Sequence, residues 1–415
     1  MKRAVIFGSG KEGSILYYTL PAEYKIMYFI DNKVPSGSVD NCLDMDVHNP
    51  NYLLEDRSWD IVIISSMKYV GEMSRQLEVI GLNYGDDYVT SYDLDNKVSY
   101  IDTSLFVQSP PKLLLYLINK IIGQRKLVTV FGNCQTEVIV HLLACNRKVS
   151  EKILVLKIPP LFYDECIPVL KYLIKNGVWK KIDIFITHVV RQDNRFSQEL
   201  STEYLTSLLS DECEVIKIPN LFFQGYWPDA YDIPRKHRVL PKWYGQTGLI
   251  ANGYNIIDSL VSSGLTVDDV IRAVAKEDLI SESEITKNIE NELQQYKKRE
   301  VMQRYDITIS DYLRANIRRE LMFYSYRHPS MKLITELTQR LVNYIGINTK
   351  IYQDDNQNFH FMNYSMLLYP SVINALGLDK SLLNMPYYPY SGLTIGISFE
   401  QYIYLYINYQ NKFKE

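Results

Sequence analysis

The chain has little cysteine, little histidine, no long hydrophobic run and no excess of charge of one sign. Its five cysteines (Cys42, Cys134, Cys145, Cys166, Cys213) are scattered, odd in number and free of any CxxC spacing. That excludes a disulfide framework and a zinc ribbon, leaves no metal site to expect, and fits a reducing cytoplasm. No apolar stretch approaches the ~18 residues that a membrane span needs, and the opening run Met1–Phe7 is too short for a signal peptide. Association with a membrane would then come through partners. With a net charge of −3 and no aromatic residues interleaved with Lys and Arg along a face, nucleic acid is excluded as a partner. Hydrophobic content of 47% and charged content of 22% describe a soluble globular protein, and 415 residues exceed one ordinary core, so two or three domains are expected. The 34 tyrosines read as compositional bias rather than as a carbohydrate platform.

What is present begins with a strand, Lys2–Phe7, followed by Gly8-Ser-Gly10-Lys-Glu-Gly13 and a helical stretch through Leu20. A second strand, Tyr24–Ile30, ends at Asp31, 18 residues beyond Gly13. Glycines at this spacing let the backbone approach a pyrophosphate, the helix N-terminus meets its charge, and an acid at the second strand's end can bond ribose hydroxyls. A third strand (Asp60–Ser66), a helix (Val70–Ile80) and an extended piece at Tyr88–Thr90 complete a β-α-β-α-β order, which predicts a small Rossmann-like parallel sheet over residues 1–98. Gly8, Gly10, Gly13 and Asp31 are its candidate ligand residues, for a nucleotide or nucleotide-sugar. The competing reading is that the glycines serve packing alone. This stretch resembles the small Rossmann-like domains at the N-termini of bacterial sugar-modifying enzymes, including some sugar N-acyltransferases. No Tyr-x-x-x-Lys arrangement follows the third strand, so an NAD-dependent sugar oxidoreductase has only the glycine loop to support it.

Ser109-Pro110-Pro111 marks a break, Lys112–Ile122 reads as an apolar helix, and residues 99–125 form a helical linker. A second α/β unit starts with the buried strand Lys126–Phe131, the turn Gly132-Asn133-Cys134-Gln135 and a helix with apolar positions at Val138, Leu142 and Cys145. A thiol there lies near the first free N–H groups of a helix, whose dipole favours a thiolate and can hold an anion. Cys134 is thus a candidate nucleophile or part of an anion cradle; the plainer alternative is a small buried thiol. The flanking amides of Asn133 and Gln135 need partners if buried. Strands at Ile153–Ile158 and Ile182–Thr187 follow, the second ending in His188, Arg191, Asp193 and Arg195. Ligands of open α/β sheets sit beyond the carboxyl ends of strands, so these groups and Cys134 are expected in one crevice, with the arginines suited to phosphates or a carboxylate. The strand Glu214–Ile218 leads to an aromatic loop, Pro219–Asp229, with Gly225 at its middle. From about residue 240 the chain is helical. Thr266-x-x-Asp269, Ser281-x-x-Glu284 and Thr308-x-x-Asp311 read as helix starts, Glu284–Tyr305 as a charged, solvent-facing helix, and Asp311–Tyr324 and Met331–Ile345 as helices with His328-Pro329 at the break between them. The aromatic tail, 371–415, carries no chemical motif and is expected to pack on the core or mediate oligomerisation.

Gly132-Asn-Cys-Gln135, the Arg191-Gln-Asp193-Asn-Arg195 strand end, the Pro219–Pro228 loop and His328-Pro329, in this order, resemble the WcbI family of bacterial polysaccharide biosynthesis proteins over roughly 126–350. The resemblance implies an α/β domain, taken as 126–370, related to the SGNH hydrolases, binding of coenzyme A or acetyl-coenzyme A, and acyl transfer to a capsular or other surface polysaccharide precursor. In that reading Cys134 stands at the nucleophile position, His328 at the base, Asn133 and the turn N–H groups stabilise an oxyanion, and Gly132, Gln135, His188, Arg191, Asp193, Arg195 and Gly225 line the substrate or coenzyme site. The sequence departs from the hydrolase pattern in having Ser325, not an acid, three residues before His328, and in lacking a Gly-x-Asn-Asp block. Two rivals remain open: an SGNH-type esterase that removes acyl groups, and a non-catalytic module that binds nucleotide-sugar or coenzyme A and recruits other synthesis enzymes.

Overall fold

A computed structural model of the chain describes residues 2–20, 24–66, 68–94, 100–103, 114, 118, 125–233, 252–352, 364–388 and 396–411. They fall into two compact units: Met1–Phe131, Leu143–Ile186 and Val190–Val215 in the first, and Gly132–Leu142, Thr187–Val189 and Ile216–Glu415 in the second. The protein is α/β, as its pattern of elements predicts.

The first unit opens with a six-stranded sheet: β1 (Lys2–Phe7), β2 (Tyr24–Ile30), β3 (Val39–Cys42), β4 (Met45–His48), β5 (Ile61–Ile64) and β6 (Tyr88–Thr90), in the order β3-β4-β2-β1-β5-β6. All neighbours are parallel except β3, which runs antiparallel to β4. Strands buried on both faces read as continuous apolar runs. In β1, Ala4 and Ile6 enter one core while Val5 and Phe7 enter the other. The β3–β4 hairpin is absent from the sequence reading. Its turn residues, Leu43 and Asp44, both have positive φ (54° and 60°), a left-handed pair that a sequence normally announces with Asn-Gly or Asp-Gly. A second, five-stranded sheet contains β7 (Tyr100–Asp102), β8 (Lys126–Phe131), β9 (Ile153–Lys157), β10 (Ile184–His188) and β11 (Glu214–Ile218), ordered β11-β10-β8-β9-β7, with β9 parallel to both β7 and β8. Phe7, Val62 and Ile64 of the first sheet share one apolar core with Leu127, Phe131, Leu154 and Phe185 of the second. The Ser109–Pro111 break and most of the Lys112–Ile122 helix lie outside the described residues; Leu114 and Ile118 of that helix are helical and buried.

The second unit is mostly helical, with two short hairpins: β12 (Ala230–Asp232) with β13 (Asn252–Tyr254), and β14 (Phe323–Ser325) with β15 (His328–Pro329). The Thr266 and Ser281 helix starts are present, each hydroxyl accepting from the N–H three residues on. Thr308 caps nothing. The free N–H groups of Ile309 and Ser310 donate instead to Glu300, at 2.7 and 3.0 Å, and this carboxylate is only 4% exposed. The helix Glu282–Gln303 is not simply solvated, because Ile285, Ile289, Leu293, Tyr296 and Glu300 form a buried stripe one residue wide per turn, too narrow to stand out among its charges. The region read as a helix to Tyr324 ends at Asn316, and the β14–β15 hairpin takes its place before the helix Met331–Tyr344. Tyrosines build much of this core. Tyr254 OH bonds Tyr402 OH (3.1 Å) and accepts from Leu367 N (2.8 Å), while Tyr406 OH accepts from Tyr254 N (3.0 Å) and donates to Asp258 (2.8 Å). Buried tyrosines of this kind satisfy backbone groups as well as fill space. The tail helix, Phe399–Asn411, joins the same core through Tyr402, Ile403 and Tyr406.

Candidate functional site

Cys134 sits where β8 turns into the helix Gln135–Cys145. Each residue of the turn has a distinct physical task. A Cβ on Gly132 would lie 2.4 Å from His188 Nδ1 and 2.7 Å from its Cγ, so only glycine lets the ring rest against the turn. The Asn133 N–H donates to His188 Nδ1 (3.4 Å), Asn133 Oδ1 accepts from Gln135 N (3.0 Å), and Asn133 Nδ2 donates to Asn220 Oδ1 (2.8 Å). Asn133 therefore caps the helix with its side chain while its backbone is braced by His188. His188 is 3% exposed, and burial pushes it down to about 4.

Gln135, 1% exposed, is a cross-tie. Its Nε2 donates to the carbonyls of Leu221 (2.8 Å) and Arg327 (3.1 Å), and its Oε1 accepts from Leu221 N (3.0 Å). The amide thus fastens the Cys134 turn to the aromatic loop and to the β14–β15 hairpin. Phe223 N adds a bond to the Tyr326 carbonyl (2.9 Å). Gly225 belongs to the same loop for steric reasons, since a Cβ there would come within 2.5 Å of the Phe223 ring.

The Cys134 thiol is half-buried and pushed up to about 12, first by burial and then by the charge of Glu137, against the N–H groups of Cys134 and Gln135. This is the reverse of the direction that a helix start alone predicts: desolvation outweighs the dipole. His328, half-buried, bonds Ser325 Oγ through Nδ1 (2.8 Å) and meets the Tyr364 ring edge-on at 5.2 Å. Burial, and secondarily the Arg327 guanidinium, push it down to about 4. Among the described residues no hydrogen bond joins Cys134 to His188 or to His328. A polar network, buried at Tyr326, Asn252 and Tyr364 and exposed at Asp232, continues from the hairpin. Tyr326 OH donates to Asp232 and accepts from Asn252, Tyr364 OH donates to Asn252, and Arg327 pairs with Asp232. Tyr326 and Arg327 lie within two positions of His328, but Asp232, Asn252 and Tyr364 lie near no residue that the sequence marks, and no local spacing announces them.

Arg191, Asp193 and Arg195 belong to the first unit. Arg191 pairs with Asp193 (2.8 Å) and Arg195 lies over the Phe196 ring (4.8 Å), all three side chains exposed. In the same unit, Gly8 (φ +106°) would place a Cβ 2.6 Å from Ser65 Oγ, and Gly13 would place one 1.9 Å from the Gly8 carbonyl. Gly10 has open space around it. Asp31, despite the cost of burial, is held below the usual carboxylate range by the N–H and hydroxyl of Ser9 (both 2.8 Å) and by Lys33 N. Beside Asp31, Asn32, Asn49, Arg75 and Gln76 border a cleft of about 500 Å³.

Fold and site together define an α/β protein in which a protonated thiol on a strand-to-helix turn is clamped to a hairpin bearing a neutral histidine. The chain belongs to the WcbI family of polysaccharide biosynthesis enzymes, whose model matches residues 127–350, more than half of its length. A solved structure of WcbI, described as a polysaccharide biosynthesis enzyme in its native form without a disulfide bond between coenzyme A and one of its cysteines, is similar to this chain. The two share 20% identity with a TM-score of 0.58 over 69% of this chain and 91% of that one. No curated protein matches the chain. No described helix is long and apolar enough to cross a membrane.

Proposed function

We propose that this chain transfers an acyl group from a coenzyme A thioester to a hydroxyl of a sugar or nucleotide-sugar during surface polysaccharide synthesis. The observation that carries the reading is the clamp by Gln135, which fixes a thiol and an imidazole into one structural element of a family named for polysaccharide biosynthesis. The coenzyme named for the similar structure supports the donor. The residues fit its thioester end, because a protonated thiol and a neutral imidazole suit an uncharged acyl group better than an anion would. When bound, the coenzyme would supply the acyl group already activated.

With burial pushing the Cys134 thiol up to about 12, we assign the transfer to direct attack by the acceptor hydroxyl, with no acyl-cysteine. The acceptor oxygen forms the new C–O bond as the thioester C–S bond breaks, and the hydroxyl proton leaves with the departing sulfur. In this reading Cys134 would border the sulfur, and His328 would supply a polar ring to the reacting groups. In the first unit we assign phosphate recognition to the exposed guanidinium groups of Arg191 and Arg195, and nucleotide-sugar binding to the glycine loop. For that loop the support is Gly10, the one glycine of the three for which the protein itself supplies no steric reason.

Calorimetric titration of the full chain with coenzyme A and acetyl-coenzyme A tests the donor. Binding that weakens at least tenfold in Cys134→Trp, followed by acyl transfer to a sugar acceptor, is the expected result. Absence of binding would remove the donor from the proposal, and tight binding without turnover of any acceptor would make the protein a coenzyme-binding module.

A further inference from the structure

β14 and β15 are joined by the two-residue loop Tyr326–Arg327, and Ser325 and His328 are direct cross-strand partners. Side chains of such partners project to the same face of the hairpin, which is why a residue three positions before the histidine can reach its ring. Ser325 is 2% exposed, and its Oγ lies 2.8 Å from His328 Nδ1 and accepts a long bond from Arg327 N (3.4 Å). A buried hydroxyl also has a proton to place. Among the described residues, His328 Nδ1 is the acceptor that the Ser325 hydroxyl reaches.

We infer that Ser325 is a positioning residue that holds His328 as the tautomer protonated on Nε2, so that the ring offers a hydrogen-bond donor where a base would offer a lone pair. The ring is neutral at physiological pH, since burial and then the Arg327 charge push it down to about 4; that guanidinium, itself paired with Asp232, and the Tyr364 ring are among the groups around it. A neutral imidazole carries one proton. If Nδ1 accepts from serine, the proton is on Nε2. An acid in place of Ser325 would accept from Nδ1–H and leave Nε2 as a base, so the exchange of acid for serine inverts the ring's polarity. The use of this donor rests on the acyl-transfer reading: Nε2–H would bond the carbonyl oxygen as negative charge develops on it.

The test is a long-range proton–nitrogen correlation spectrum of the imidazole nitrogens in the full chain, labelled at its six histidines, without coenzyme. The His328 signals are assigned by their loss in His328→Gln. The expected pattern is a bare Nδ1 and a protonated Nε2 in the wild type and in Ser325→Thr, a mixture of tautomers in Ser325→Ala, and the proton moved to Nδ1 in Ser325→Asp. A proton on Nδ1 in the wild type would overturn the inference, as would a Ser325→Ala spectrum identical to it. Because no ligand is added, this result is independent of whether coenzyme A binds.

Discussion

Two turns in this chain have the same local form, a buried parallel strand that passes through glycine into a helix, yet they are held in different ways. The turn after β1 is held from within the first sheet: Gly13 packs on the Gly8 carbonyl, Ser9 bonds Asp31 just past the end of β2, and Ser65 just past the end of β5 fills the space under Gly8. The turn after β8 is held from afar, by Asn220 and Leu221 and by Arg327, which lies 192 residues beyond Gln135. The first is a self-contained cradle whose middle glycine stays open. The second is a joint whose chemistry depends on the distant hairpin that it anchors. A motif therefore specifies a shape, and the partners of its side chains decide what the shape can do.

The sharpest way to break the first turn is Gly13→Ala, because a Cβ 1.9 Å from a carbonyl oxygen forces the backbone apart. We expect a loss of about 3 kcal/mol or more in urea unfolding, against less than about 0.5 kcal/mol for Gly10→Ala. Equal losses would show that the two glycines are not used differently. Next in size, Gln135→Leu strips the Leu221 and Arg327 backbone groups of their partner. A cost of about 2–4 kcal/mol is expected, with a matching loss of coenzyme A affinity; a stable variant with normal affinity would mean that the hairpin needs no clamp.

The smallest effect sharpens the contrast through pH. His188 and His328 are both pushed from 6.5 to about 4 in the folded chain. The unfolded chain then binds protons first, so stability is full above about 6.5 and falls as the pH drops toward 4, by on the order of 1–3 kcal/mol per ring. Urea midpoints measured from pH 7 to pH 4 should decline, and His328→Gln should remove part of the decline. A flat profile would show that these rings are not buried neutral.

The strands β1, β2, β5, β6 and β8–β11 are legible because each is an apolar run bounded by turn residues, and Cys134 and His328 are legible as residue types at element ends. The rest was hidden for identifiable reasons. The β3–β4 hairpin turns on Leu43–Asp44, which carry no turn signal. The β14–β15 hairpin follows a helical pattern and is too short to show alternation. The cap on Ser310 comes from Glu300, ten residues away, and not from Thr308 beside it. The raised thiol of Cys134 depends on how much water the fold excludes, which a helix-start motif does not encode. Gln135 stands in plain view in the sequence, but its partners, 86 and 192 residues away, do not.

That long span has a consequence for how the protein is made. Ribosomes add about 5–20 residues per second, so roughly 10–40 s separate the emergence of Gln135 from that of Arg327, 192 residues later. During that interval the amide that later closes the joint has no hairpin to hold, although all six strands of the first sheet have already been synthesised.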